Sequence, residues 1–261
     1  MIRSTSARIC AGALLATSAG FVATQETVFD TANPTAEFQF TRLIYSSGYG
    51  DFDGWGRNWR IDWPHAEFHF MQGLTRLTRI DGEEVNRYSG DGARAISLSD
   101  DSIFNYPWLY AVEVGRWVLS DYEAGRLREY LLRGGFLMVD DFHGSRQWSG
   151  FLASMVRVFP DRPILEIPED DEVLHVLYDL DQGVQIHGIR LLGSGQTWEG
   201  DGYVPHWRGI YDDSGHLMVA INFNMDLGDA WEHADWPEYP EPLTALAYRY
   251  AVNYVMYAIT H

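Results

Sequence analysis

The chain has 261 residues, 46% of them hydrophobic and 15% aromatic, which is ample for a sizeable core. Its 37 acidic residues outnumber 19 basic ones and give a net charge of −18, so nucleic acid and anionic lipid surfaces are poor partners. Every basic residue is an arginine; the lack of lysine excludes Walker-type phosphate loops and Schiff-base catalysis.

In chain order, Arg3 and Arg8 precede the apolar, small-residue run Ile9 to Ala23, and no acid occurs before Glu26. This pattern predicts a secretory signal peptide over residues 1–24, with an uncleaved N-terminal anchor as the alternative, and hence a periplasmic or secreted protein. Cys10, the single cysteine, falls inside it, so the mature chain is expected to have neither a disulfide nor a nucleophilic thiol. No later segment offers about 18 uncharged apolar residues, so no membrane span is expected in the mature chain. Residues 25–37, with Asn33-Pro34, read as a linker, and 38–261 as a single domain.

Phe38 to Tyr45 alternates and is rich in β-formers, which predicts a first strand. Ser46 to Trp63 is a long loop dense in glycine and aromatics; Pro64 then suits a helix start, continued by Ala66, Phe70, Leu74 and Leu77. Ala93 to Leu98 and Trp108 to Val114 read as further strands. Leu119 to Gly144 is the most informative stretch. Ser120 to Glu123 fits a capping box, with Leu119 and Ala124 placed as a hydrophobic staple. Ala124, Leu127, Leu131 and Leu132 keep helical spacing, and Gly134 supplies a left-handed exit. Phe136 to Val139 is then an unbroken apolar run, as in a strand covered on both faces.

Trp148, Phe151, Leu152, Met155 and Phe159 mark one face of the next helix, which Pro160 ends. Ile164 to Gly215 reads as short strands and turns, for example Ile186 to Arg190. Leu217 to Phe223 is a strong strand, and Leu243 to Ile259 a closing helix with Leu243, Leu246, Ala247, Tyr250, Tyr254 and Ala258 on one side. Alternating strands and helices predict an α/β fold with a mainly parallel sheet between helical layers.

Phe104 to Tyr110, Leu119 to Gly144 and Asn222 to Glu232, with GGFLMVDDF followed by NFNMDLGD, resemble a bacterial family described as domain of unknown function 4159. The resemblance runs from about Phe38 to the C-terminus. It implies kinship with the class I glutamine amidotransferase-like superfamily, and so a three-layer, flavodoxin-like sandwich. It does not imply amidotransfer, because no cysteine remains in the mature chain, and it transfers no catalytic residue.

Asp140, Asp141 and His143 stand where a buried strand stops, the place where ligands collect in such sheets. Neighbours in a strand face opposite ways, so at most one aspartate enters a cleft unless the chain turns between them; in the alternative, one pairs with an arginine and the other, with Ser145, caps the next helix. Asn222, Asn224, Asp226 and Asp229 form a second cluster whose alternating oxygens suggest a calcium loop. Phe223 and Met225 are apolar, Gly228 is one place late and His233 stands where a bidentate Glu belongs, so no metal is expected there. Zinc spacing and cofactor motifs are absent from the sequence as well. Trp55, Trp59 and Trp63 recur every fourth residue beside Asp62, either as aromatics that fill the core or as a surface suited to a sugar.

Two functions follow. The first is a module binding a small molecule or glycan through Trp55, Trp59, Asp62, Trp63, Asp140, Asn222, Asn224 and Asp229, or engaging a cell-envelope protein. The second is an Asp/His-dependent hydrolase, such as a glycoside hydrolase, using Asp141 and His143 with Asp226 or Glu232.

Overall fold

Apolar runs of period two and period 3.6 alternate along this chain, and the computed structural model, which describes residues 36–47 and 58–261, turns them into strands and helices in the expected order. They are β1 (Thr41–Ile44), β2 (Ser46–Ser47), α1 (His65–Leu77), β3 (Arg94–Ser97), β4 (Trp108–Val112), β5 (Trp117–Val118) and α2 (Asp121–Leu132). There follow β6 (Phe136–Asp140), α3 (Gly144–Val158), β7 (Leu165–Glu166), β8 (His206–Tyr211), β9 (Leu217–Phe223), α4 (Leu227–Glu232) and α5 (Glu241–Thr260). The leader read over 1–24, most of the 25–37 linker, and Trp55 lie outside the described residues.

A seven-stranded sheet in the order β3-β1-β4-β6-β9-β8-β7 is parallel from β3 to β9. Strands β8 and β7 add to its far edge antiparallel. Side-chain alternation divides the core in two. Trp108, Tyr110, Val112, Phe136 and Met138 join the residues of α1, α4 and α5, whereas Leu109, Ala111, Leu137 and Val139 join those of α2 and α3. Helices therefore cover both faces, which is why β4 and β6 read as continuous apolar runs. No helix among the described residues is long and apolar enough to cross a membrane.

The capping box of α2 is present, with Ser120 Oγ accepting from Glu123 N at 3.2 Å and Glu123 Oε2 from Ser120 N at 2.7 Å. Gly134 takes φ +95°, the left-handed exit its position required. Leu132, in contrast, is 49% exposed; the buried face of α2 is carried by Ala124, Leu127, Tyr130 and Leu131.

The stretch from Ile164 to Gly215 departs most from expectation. It holds only β7 and β8 as strand, and Ile189–Leu191 is a 3-10 turn. Its polar groups are satisfied instead by side chains, as where Gln185 Nε2 donates to Gly202 O at 3.0 Å and Asn224 O at 2.9 Å.

From β1 the chain crosses to β3 on one side, then returns past β1 to β4 on the other. The connections leaving β1 and β4 thus diverge, and the crevice this opens lies at the carboxyl ends of the parallel strands.

Candidate functional site

Arg42, on β1, is fully buried, at the side of the sheet that faces α1 and the end of the long loop. Its guanidinium pairs with Glu67 of α1, donates to Trp59 O at 3.0 Å and Ile61 O at 2.7 Å, and lies 4.9 Å from the Tyr110 ring centroid and 5.9 Å from that of Trp63. One side chain thereby ties the end of the long loop to the sheet and presents Asp62. Trp59 and Trp63 are half-buried beside it.

Asp140 ends β6 with no exposed surface, and its Oδ2 accepts from Leu227 N at 2.7 Å, Gly228 N at 3.0 Å and Tyr110 OH at 3.2 Å. Neither Asp140 nor Asp141 caps α3. That task falls to Asn224 Oδ1, accepting from Gly144 N, and Asp201 Oδ1, accepting from Ser145 N, each at 2.8 Å. Asp141 is released from its strand by φ +49° and meets His143 Nε2 at 3.2 Å. Asp226 caps α4, its Oδ1 accepting from Asp229 N at 2.8 Å, and Asp229 Oδ2 accepts from Ile189 N at 2.7 Å.

Five aspartates, namely 62, 140, 141, 226 and 229, thus converge at the ends of neighbouring strands. One oxygen from each of Asp62, Asp226 and Asp229 lies within 4.8 Å of the other two. The non-glycine residues with left-handed backbone among those described are Asp62, Glu113, Asp141 and Asn224, all at this end of the sheet. Backbone strain of this kind gathers where structure is arranged for function.

Burial pushes the Asp140 carboxyl up to about 7, against the pull of its backbone donors. Asp141 is held well above the usual carboxylate range by burial and then by the charges of Glu113, Asp62, Asp140 and Asp229. Asp226 is raised likewise by burial and by Asp141, Asp229, Asp62 and Asp140, and Asp62 by burial, Asp229 and Glu232. Burial lowers His143 to about 4. Several atoms here are covered yet lack a hydrogen-bond partner: Asp62 Oδ2, Asp140 Oδ1, Glu113 Oε2 and His143 Nδ1. Unmade bonds of this kind are costly in a finished core.

Some residues singled out in the sequence serve the scaffold. Asn222 is fully buried, with Nδ2 3.4 Å from Val139 O and Oδ1 accepting from Tyr254 OH at 3.0 Å, on the α5 side of the sheet. Asn224 spends its amide on Gly144 N and on Val204 O, the latter at 2.6 Å. Glu232 stands at the rim, 3.6 Å from His65 Nδ1 and 3.5 Å from His233 Nε2. Sequence reading missed Arg42, Glu67, Tyr110 and Glu113. An arginine inside the apolar strand Phe38 to Tyr45 was the available signal, since an unpaired charge is not buried there.

A family model described as Domain of unknown function (DUF4159) matches residues 39–259, and the chain belongs to that family. No curated protein matches the chain.

Proposed function

We propose that this member of the family is a ligand-binding α/β domain whose site is the strand-end aspartate cluster, and that it takes a small neutral polyhydroxylated molecule, such as a saccharide. The convergence of buried aspartates at the crevice between the diverging strands β1 and β4 carries this reading. A carboxyl group that retains its proton near neutral pH donates as well as accepts, which matches the donor and acceptor pair of a hydroxyl. The half-buried Trp59 and Trp63 rings add apolar surface for the face of a sugar. The five parallel strands, numbered in chain order, run 2-1-3-4-5, which supports a flavodoxin-like sheet and, with the sequence resemblance, kinship to the glutamine amidotransferase-like superfamily. Export directed by residues 1–24 belongs to the same reading, as does a cell-envelope setting.

Intrinsic tryptophan fluorescence titrated with a panel of neutral saccharides in EDTA tests the site. A saturable change that Asp141→Asn abolishes is expected; no response across the panel from folded wild-type protein rejects the polyol.

The Asp141–His143 contact favours a second reading, a hydrolase in which a carboxylate orients an imidazole whose Nδ1 is free of partners. Against it, an imidazole lowered to about 4 is a weak base at neutral pH. Turnover of aryl glycosides or esters that His143→Gln removes would establish this alternative.

A further inference from the structure

We propose that Asp62, Asp226 and Asp229 hold a divalent, oxygen-preferring cation between the entry to α1 and the first turn of α4. The proposal rests on the cluster being a ligand site, and departs from the expectation that no metal is bound. Three carboxylate oxygens lie within 4.8 Å of one another. Two oxygens on one ion at about 2.1–2.4 Å stand no further apart than this, so small side-chain adjustments bring the three onto a single cation. The donors are all hard oxygens, which selects magnesium, calcium or manganese over softer metals.

Observations beyond the acidic cluster point the same way. Asp140, fully buried and outside the trio, has Oδ1 without a partner, and its charge bears on both Asp141 and Asp226. Asp62 Oδ2 is also covered and unpartnered, although the residue as a whole is partly exposed. The guanidinium whose charge bears on Asp62, that of Arg42, is already committed to Glu67 and two carbonyls. A bound cation would offset the charge that retained protons otherwise remove.

Two glycines leave room for this geometry. A Cβ on Gly188 would stand 2.6 Å from Asp226 Oδ2 and 2.9 Å from Asp229 Oδ2. One on Gly228 would stand 2.3 Å from Asp62 Oδ2. Bare backbone lets all three carboxylates close on one point. The other acidic group with metal-like spacing, Asp229, Glu232 and His233, is accounted for without an ion, because the His233 imidazole lies 3.6 Å from Asp229 and 3.5 Å from Glu232.

Manganese is the probe. Stripped full-length protein is titrated with Mn2+ at constant ionic strength, and free Mn2+ is read by electron paramagnetic resonance. Thermal melts run in parallel with Mn2+, Mg2+ and Ca2+. Wild type should take up one equivalent and melt roughly 5–10 °C higher at about a hundredfold excess over Kd. Asp62→Asn and Asp226→Asn should each weaken uptake at least about tenfold, whereas Asp179→Asn, at an exposed carboxylate, should not. No uptake by wild type, or wild-type uptake by either site variant, overturns the proposal. Should a variant fail to fold, anomalous scattering from Mn2+ in wild-type crystals decides. A peak between the three carboxylates upholds the site, and a peak elsewhere or none rejects it. The saccharide titration is run in EDTA, so either reading can fail while the other stands.

Discussion

Glu67 and Asp141 are both carboxyl groups withdrawn from water, but the fold keeps them by opposite means. Glu67 is fully buried against the Arg42 guanidinium, which also fastens the loop carbonyls of Trp59 and Ile61. The side chain of Asp141 meets His143, and Glu113, Asp62, Asp140 and Asp229 press negative charge upon it. Removing a buried partner strands the other charge, so Arg42→Met should cost ~3–5 kcal/mol in urea unfolding. Asp141→Asn keeps the shape and removes the cost of either ionising or holding a proton there, so it should leave stability unchanged or raise it. This is the pattern expected where a local rule is broken for function. A loss from Asp141→Asn as large as that from Arg42→Met would make Asp141 a structural residue and remove it from the site.

The decisive element is α4, only six residues long and started by Asp226. Its Gly228 N–H serves Asp140, and its bare Cα lies against Asp62 and Tyr110. Alanine favours a helix over glycine by ~1 kcal/mol, so Gly228→Ala tests position against propensity. A Cβ there would meet Asp62 Oδ2 at 2.3 Å and Tyr110 OH at 2.8 Å, and the carboxylate must move. The variant should melt within a few degrees of wild type while losing about tenfold or more in Mn2+ affinity, as read by the same resonance titration; unchanged affinity would separate Asp62 from the cation. The same element marks the limit of what the sequence shows. The long periodic elements were legible: α1, α2 with its capping box and glycine exit, β4, β6, β9 and α5 all lie where spacing placed them. Six residues do not establish a helical period, so NFNMDLGDAWE reads as a strand running into a polar turn. Asp140, Asp141 and Asp226 were legible as strand-end residues. Their convergence with Asp62 was not, because it depends on how Arg42 draws in a loop far away in sequence.

Across the whole molecule, the net charge of −18 conceals two populations of acids with opposite responses to pH. At Asp100, Asp212 and Asp235 partial burial is outweighed by hydrogen bonds and nearby cations, and their carboxyls sit below the ordinary value. Their stabilisation is present above the ordinary carboxylate value of 3.8 and is lost as pH falls through their folded values. Asp140, raised from 3.8 to about 7, behaves in reverse. The folded chain keeps a proton that the unfolded chain has released, so this contribution is whole below 3.8 and disappears as pH rises through about 7. Asp141 is displaced in the same direction. His143, lowered from 6.5 to about 4, opposes them, because its stabilisation is full above 6.5 and is lost as pH falls towards 4. Each group contributes a slope of roughly 1.4 kcal/mol per pH unit within its own window. Asp140 and His143 therefore nearly offset one another between 4 and 6.5, and Asp141 tips the balance downward. Above 6.5 only the falling contributions remain. Urea unfolding in EDTA should accordingly show maximal stability near pH 4, declining through pH 8, instead of a plateau at neutrality. His143→Gln, which deletes an opposing slope, should steepen the decline between pH 4 and 6.5. Stability that rises from pH 5 to 8 in both proteins would mean that the strand-end carboxyls are ionised without cost, and that the cluster is hydrated and open.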